Sequence, residues 1–123
     1  MVDNILRSRY VMAGGIQTHY TESGGDGPAL VMVHGGGVGT SGGLSYGHIM
    51  ALLADRFRCI AIDSIGGWGW TDPLISADLG AESRASHLSL FVDALCLDKF
   101  SLLGASQGAW VASRYATQNT KRI

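Results

Sequence analysis

One pentapeptide near the end of the chain, GASQG at residues 104–108, constrains the fold more than any other feature. It lies between a short apolar run and an alanine-rich stretch, a predicted strand and a predicted helix. A G-x-S-x-G pattern at such a junction is typical of a tight turn that lifts the serine hydroxyl out of a sheet. The glycines are needed where a Cβ would collide. The pattern predicts Ser106 as a nucleophile, with an ordinary Gly-Ser turn as the alternative.

A second glycine cluster reads HGGG at residues 34–37 and directly follows the apolar run Ala29–Val33. Glycines at the end of a buried strand let a substrate touch the backbone, so their N–H groups can stabilise an oxyanion. The N–H of Gln107 is the predicted second donor. His34 is predicted to bond loop backbone, because a catalytic base would have to reach the Ser106 hydroxyl.

The hydrophobic patterns predict a single α/β domain over residues 1–123. Strands that alternate with helices indicate a mostly parallel sheet with helices on both faces, preceded by an antiparallel hairpin around Gly14-Gly15. Asp78 is the predicted N-cap of the second helix, with Glu82 in its first turn. The predicted strands are Arg9–Ala13, Gln17–Thr21, Ala29–Val33, Arg58–Ile62 and Phe100–Leu103. The predicted helices contain the apolar stripes Tyr46, Ile49, Met50, Leu53 and Leu88, Phe91, Val92, Leu95, and the third spans Gln107–Gln118.

Charge and composition argue against several functions. Only 15% of the residues are charged, the net charge is −1 and no run of Lys or Arg exists, so we expect no nucleic-acid partner. We expect no membrane partner either, because no apolar stretch approaches a membrane span. Without a secretory signal at the start, the chain is expected to be cytoplasmic. Cys59 and Cys96 are predicted as reduced core residues, and no metal or cofactor is implied.

The glycines also fit a competing interpretation, in which GVGTSG at residues 37–42 is a G-x-G-x-x-G loop. Gly37, Gly39 and Gly42 would then approach a dinucleotide, and Asp63 would bind its ribose. The preceding hairpin and the unexplained G-x-S-x-G pattern count against this interpretation. A P-loop is excluded because no Lys follows the glycines. A non-catalytic interaction fragment is the third alternative.

The segments VHGGGVGTSGG, CIAIDSIG and LLGASQGAW resemble the meta-cleavage product hydrolases of aromatic catabolism, a branch of the α/β-hydrolase fold. The resemblance runs from about residue 10 to the last residue and covers the N-terminal half of that fold. It implies that Ser106 is the nucleophile and that Gly36 and Gln107 supply the oxyanion N–H groups. The small-molecule substrate would be a 2-hydroxy-6-oxo-dienoate cleaved at a C–C bond, with an ester or lactone as the alternative.

Four residues are candidates for contact with that substrate. Gly35 and Gly37 flank the oxyanion glycine, and the resemblance implies that the loop Gly37–Gly43 helps to hold the dienoate. Ala105 departs from the branch, which usually has Asn at this position. Trp110, like Trp68 and Trp70, is predicted either to line an acyl or aryl pocket or to fill space. The loop after Asp63 is about one residue longer than in the branch.

Residues 107–123 contain no His, Asp or Glu. In this fold the triad acid and histidine follow the nucleophile, so the resemblance implies that both, with the cap and the C-terminal strands, are absent from the chain. We therefore expect the chain alone to be inactive or nearly so. Strand Phe100–Leu103 is expected to be an uncovered edge through which copies form a homo-oligomer. His19, His48 and His87 are each expected to have a solvated or partly buried structural role. Arg84 and Arg114 are expected to be solvated charges on helix faces.

Overall fold

The computed structural model describes residues 6–37, 39–66, 68–71 and 80–123. The predicted strands and helices are all present, and Ala29–Val33, Arg58–Ile62 and Gln107–Gln118 have the predicted bounds. The hairpin strands are longer than predicted, and the last strand is shifted by one residue. In chain order the elements are β1 (Arg7–Ala13), β2 (Ile16–Glu22), β3 (Ala29–Val33), α1 (Gly42–Leu53), β4 (Arg58–Ile62), α2 (Ala81–Ala94), β5 (Ser101–Gly104) and α3 (Gln107–Gln118).

The five strands form one mixed sheet in the order β1-β2-β4-β3-β5. β3 lies in the middle of three parallel strands, with Val31 opposite Ile60 of β4 and Leu102 of β5. The hairpin joins the other side of β4 in antiparallel orientation through β2. The predicted α/β architecture with an N-terminal hairpin is therefore confirmed.

The helices cover both faces of the sheet, as predicted. Side chains alternate along β3, so Val31 and Val33 face one side and Leu30 and Met32 the other. The side with Val31 and Val33 packs against α2 and α3, in a cluster that includes Phe91. The opposite side packs against α1. Because β3 and β5 are neighbouring parallel strands, their carboxyl ends lie side by side at one edge of the core.

Both helical stripes are confirmed at their central positions. Tyr46 and Met50 are buried on α1, although Ile49 is 45% exposed at the border of that face. The N-cap of α1 is Ser41, whose hydroxyl accepts a hydrogen bond from the Leu44 N–H at 3.1 Å. On α2 the N-cap position is held by Gly80, while the predicted cap Asp78 lies outside the described residues. No helix of the described ranges is long and apolar enough to cross a membrane.

The prediction that both cysteines lie in the core is wrong for Cys96. Cys59 is buried, but Cys96 is exposed and has φ 59°. It follows the C-terminus of α2, where its N–H donates to the Asp93 carbonyl and the Leu97 N–H donates to the Val92 carbonyl, both at 3.0 Å. This pair of bonds defines a Schellman motif, which requires a left-handed residue after the helix. The turn directs Cys96 outward and lets Leu97 enter the core.

β5 forms the edge of the sheet predicted from the sequence. Among the described residues, β5 pairs with β3 on one side and with no strand on the other. Leu102 and Leu103 on this strand are only partly buried. An open strand of this kind presents unpaired N–H and C=O groups to a further strand. The position of the edge is confirmed, and association through it stays a prediction.

Two glycine substitutions test the packing of the helices. Gly108→Ala should lower the free energy of unfolding by at least about 2 kcal/mol, because its Cβ would lie 2.1 Å from the Val33 carbonyl oxygen. Gly47→Ala, inside α1, should raise it by about 0.5–1 kcal/mol, because the new Cβ meets only Leu6 at 3.6 Å. Urea unfolding followed by circular dichroism measures both. Equal effects of the two substitutions would contradict the packing described here.

Candidate active site

Ser106 occupies a sharp turn between β5 and α3. Its backbone has φ 57° and ψ −123°, and Cys96 is the other non-glycine residue with positive φ in the described ranges. A Cβ at Gly104 would lie 2.3 Å from the Gly108 carbonyl oxygen, and one at Gly108 would lie 2.1 Å from that of Val33. Both glycines are therefore required by close backbone approach. The turn leaves Ser106 exposed at the carboxyl end of the sheet.

The HGGG loop lies directly beside this serine. A Cβ at Gly35 would be 3.5 Å from the Ser106 Cβ and 4.0 Å from its Oγ. A Cβ at Gly36 would be 2.1 Å from the Gln107 Oε1, so the Gln107 amide lies over that glycine. The space beside Gly37 is open. The structure therefore brings Ser106 and Gln107 next to Gly36, which lies 70 positions before Ser106 in the sequence.

The two candidate donors are unoccupied within the described part of the chain. Gln107 is the first residue of α3, and no intramolecular hydrogen bond engages its N–H or that of Gly36. The Ser106 hydroxyl does not cap the helix either. A helix N-terminus with free N–H groups favours negative charge. An oxyanion formed at Ser106 would accept hydrogen bonds from these N–H groups once the Gln107 side chain has moved away from Gly36.

The predicted substrate contacts differ in their surroundings. Ala105 is exposed beside the serine and brings no polar group. Trp110 is 70% exposed and, with Gln107, lines a cavity of about 210 Å³. Trp68 instead supports the glycine loop, because its indole N–H donates to the Gly37 carbonyl at 3.1 Å. The tryptophans were predicted either to line a substrate pocket or to fill space. The position of Trp110 beside a cavity fits the first role.

His34 bonds backbone on both sides of its ring, as the sequence predicts. Its Nδ1–H donates to the Gly35 carbonyl at 2.6 Å, and its Nε2 accepts from the Ser64 N–H at 3.0 Å. The side chain is fully buried, and this burial lowers the pKa of His34 below its ordinary value. A neutral imidazole thus joins the HGGG loop to the loop after β4.

Arg84 is buried, which corrects the prediction of a solvated charge. Only 2% of the residue is exposed, and its guanidinium donates to the His34 carbonyl at 2.7 Å and to the Ser64 hydroxyl at 3.0 Å. The same group lies 4.8 Å from the centre of the Trp68 ring. Burial lowers the pKa of Arg84 to about 10. Its spacing from Leu88, one helical turn away, places it on the buried stripe of α2, a signal that the sequence carried.

Arg114 is a surface residue, as predicted. Its guanidinium forms an exposed ion pair with Glu82 in the first turn of α2. His48 is likewise exposed, on α1. Neither residue has the burial that distinguishes Arg84. Among the charged groups of α2 and α3 named in the sequence analysis, only Arg84 reaches the glycine loop.

Asp63 is fully buried and joins several loops. Its Oδ1 accepts from the Gly42 N–H at 2.8 Å, and its Oδ2 accepts from the Trp70 N–H at 3.0 Å and from His19 Nδ1 at 2.7 Å. A Cβ at Gly42 would collide with the Ile62 carbonyl. The dinucleotide interpretation required an accessible acid at Asp63 and an open backbone at Gly42. Both are enclosed, so that interpretation is wrong.

Comparison with known proteins places this geometry among hydrolases. Residues 28–123 match the family model described as alpha/beta hydrolase fold. The chain is 32% identical over 111 residues to 2-hydroxy-6-oxononadienedioate/2-hydroxy-6-oxononatrienedioate hydrolase of Paraburkholderia xenovorans, covering 89% of this chain and 38% of the relative. It is 35% identical over 115 residues to 2-hydroxy-6-oxo-2,4-heptadienoate hydrolase of Pseudomonas putida, covering 94% and 41%.

A solved structure gives the same result. The meta-cleavage product hydrolase of Pseudomonas fluorescens superimposes with a TM-score of 0.87 at 27% identity, over 94% of this chain and 42% of that one. The chain therefore spans less than half the length of the relatives it matches. Its described sheet and helices correspond to the N-terminal part of their fold.

Buried His87 predicts a loss of stability in acid. Its Nε2 is 2.8 Å from the Thr18 hydroxyl, and burial, aided by Arg84, lowers its pKa from 6.5 to about 4. Between these values the unfolded chain binds the proton and the native chain does not, so stability falls as the pH falls from 6.5 to 4. The contribution is about 3 kcal/mol. Urea unfolding of the wild type and His87→Gln should show this loss only in the wild type. Parallel pH profiles would contradict it.

Arg84→Met tests the support of the glycine loop. In a background with Trp70→Phe and Trp110→Phe, Trp68 is the remaining tryptophan and reports on this contact. Arg84→Met should shift its emission to the red and increase its quenching by acrylamide, and should destabilise the chain by about 2 kcal/mol, because the His34 carbonyl loses its donor. Arg114→Met is the control and should change stability by less than about 0.5 kcal/mol. Unchanged Trp68 emission in Arg84→Met would contradict the role given to Arg84.

Proposed function

Because the chain belongs to the alpha/beta hydrolase fold family, we propose that it is the nucleophile-bearing part of a longer serine hydrolase. The observation that carries this proposal is the position of Ser106, in a left-handed turn with Gly35 and Gly36 beside it. The strained backbone and the two glycines have a physical reason if the hydroxyl must be presented to a substrate.

The reaction begins with attack of the Ser106 oxygen on a substrate carbonyl. The tetrahedral oxyanion accepts hydrogen bonds from the N–H groups of Gly36 and Gln107, which are free in the described chain. One such donor is typically worth about 10²–10³ in rate. Gly35, Gly37, Ala105 and Trp110 contact the substrate around the reacting carbonyl. When the oxyanion collapses, the bond to the leaving group breaks and the leaving group takes up the proton removed from Ser106. Water then cleaves the acyl–Ser106 bond and frees the serine.

The triad acid and histidine belong to the part of the enzyme that this chain does not contain. Without a base that accepts its proton, Ser106 is a weak nucleophile, so the 123-residue chain alone does not turn over. The exposed edge at β5 is where the remaining strands, or a second copy in a homo-oligomer, would pair.

The substrate class is a 2-hydroxy-6-oxo-dienoate. The relatives from Paraburkholderia xenovorans and Pseudomonas putida are named for substrates of this type. After the enol has ketonised, Ser106 attacks the 6-oxo carbonyl. The bond between C5 and C6 then breaks, and the electron pair left on C5 is delocalised towards the 2-oxo group and takes up a proton. An ester or lactone is the second candidate, and Ala105 favours it because this position brings no polar group for the dienoate.

The partners and location follow from the same proposal. A small-molecule substrate is the expected partner, and the net charge of −1 gives no support to nucleic acid or to an anionic membrane surface. A cytoplasmic location agrees with the two cysteines being free. The mechanism uses no metal or cofactor.

Ser106→Ala in the complete enzyme should lower kcat for dienoate hydrolysis by at least about 10⁴, because the covalent step is lost. The decay of the dienoate chromophore measures this rate. Hydrolysis of a 4-nitrophenyl ester, measured separately, tests the second candidate substrate class. Ser101→Ala, an exposed serine at the start of β5, is the control and should retain activity. Dienoate hydrolysis by Ser106→Ala at a rate close to that of the wild type, or full turnover by the 123-residue chain alone, would contradict the proposal.

A further inference from the structure

A second serine in the chain has a histidine and an aspartate aligned behind it. The Ser8 hydroxyl lies 2.5 Å from His19 Nε2, and His19 Nδ1 lies 2.7 Å from Asp63 Oδ2. The three residues come from different parts of the sheet and are separated by 11 and 44 positions. Their order, hydroxyl to Nε2 and Nδ1 to carboxylate, is the order that activates a serine in hydrolytic triads.

The strand register produces this alignment. His19 of β2 is directly opposite Tyr10 of β1, and Ser8 lies two residues along β1 on the same face. The Tyr10 ring packs edge-on against the imidazole, with ring centres 5.1 Å apart. Asp63 follows β4, the other neighbour of β2. The imidazole is thus fixed on one side by an aromatic ring and on the other by a carboxylate.

The hydrogen bonds assign a role to each group. The Asp63 carboxylate also accepts from the backbone N–H groups of Gly42 and Trp70, so its partners are all donors and the proton of the His19 pair lies on Nδ1. In the neutral tautomer with its proton on Nδ1, the His19 Nε2 is the acceptor for the Ser8 hydroxyl hydrogen. Asp63 is fully buried and His19 is 5% exposed, whereas Ser8 is exposed. The nucleophile is accessible and its base is shielded.

We propose that Ser8 is a second nucleophilic serine, which is acylated by small activated acyl donors such as aryl esters. The Ser8 oxygen bonds to the acyl carbon, the bond to the aryl oxygen breaks, and His19 transfers the hydroxyl proton to the departing aryl oxide. β1 is an edge strand of the described sheet and Ser8 is exposed on it, so an acyl donor can approach the Ser8 oxygen. This reactivity is independent of Ser106 and of the rest of the hydrolase.

A fluorophosphonate probe tests the proposal on the 123-residue chain, with the labelled residue identified by peptide mass spectrometry. The Ser8 oxygen displaces fluoride from phosphorus, and the proton leaves through His19. We expect Ser8 to be labelled in the wild type and in Ser106→Ala, and no label at this position in Ser8→Ala. His19→Gln should slow labelling of Ser8 by about 10², the contribution of a positioned base. Ser101→Ala, on the opposite edge strand, is the matched control and should leave the labelling of Ser8 unchanged.

Three outcomes would overturn the proposal. The first is a wild-type chain, folded by circular dichroism, in which Ser8 is not labelled faster than Ser101. The second is labelling of Ser8 at the wild-type rate in a folded His19→Gln chain. The Ser8–His19–Asp63 hydrogen bonds would then serve only to connect β1 to the end of β4. The third is labelling of Ser106 alone, which would favour the proposed function and remove the second site. Labelling of Ser8 alone would support this inference without testing the role of Ser106.

Discussion

The carbonyl of Val33 at the end of β3 is the point on which the candidate site depends. It accepts a hydrogen bond from the Tyr46 hydroxyl of α1 at 2.8 Å, and the Gly108 backbone of α3 packs so closely against it that a Cβ there would lie 2.1 Å away. Helices on opposite faces of the sheet are thereby fixed to one strand end. Because the HGGG loop leaves β3 at this position, Ser106 and the loop glycines are held together by the backbone.

A layer of buried polar side chains packs against the HGGG loop and fixes its backbone. Arg84 holds the His34 carbonyl, His34 holds the Gly35 carbonyl, and Asp63 joins the loop after β4 to the start of α1. Buried polar groups are costly unless they are paired. His34 and Asp63 are paired with backbone groups, whereas Arg84 is paired through Nη2 and its Nε and Nη1 have no partner among the described residues. The bonds that are formed fix the conformation of the HGGG loop. An oxyanion site needs donors that are oriented before the reaction, which a flexible glycine loop without this support would not provide.

The sequence predicted those features that depend on local pattern, and it missed those that depend on distant partners. The bounds of β3, β4 and α3 were predictable, because unbroken apolar runs and an alanine-rich segment end at polar or glycine residues. Arg84 was misjudged because its charge was given more weight than its place on the stripe of α2. Cys96 was misjudged because its apolar neighbours concealed a helix-terminating turn. The Ser8–His19–Asp63 alignment follows from cross-strand register, which no local pattern reveals.

The proposed reaction requires that an oxyanion on Ser106 faces the N–H groups of Gly36 and Gln107. A crystal structure of the complete enzyme with a phosphonate bound to Ser106 tests this most directly. One phosphonyl oxygen should lie within hydrogen-bonding distance, about 3 Å, of both nitrogens, with the Gln107 side chain displaced from Gly36. A phosphonyl oxygen that points to solvent, with both N–H groups bonded elsewhere, would contradict it.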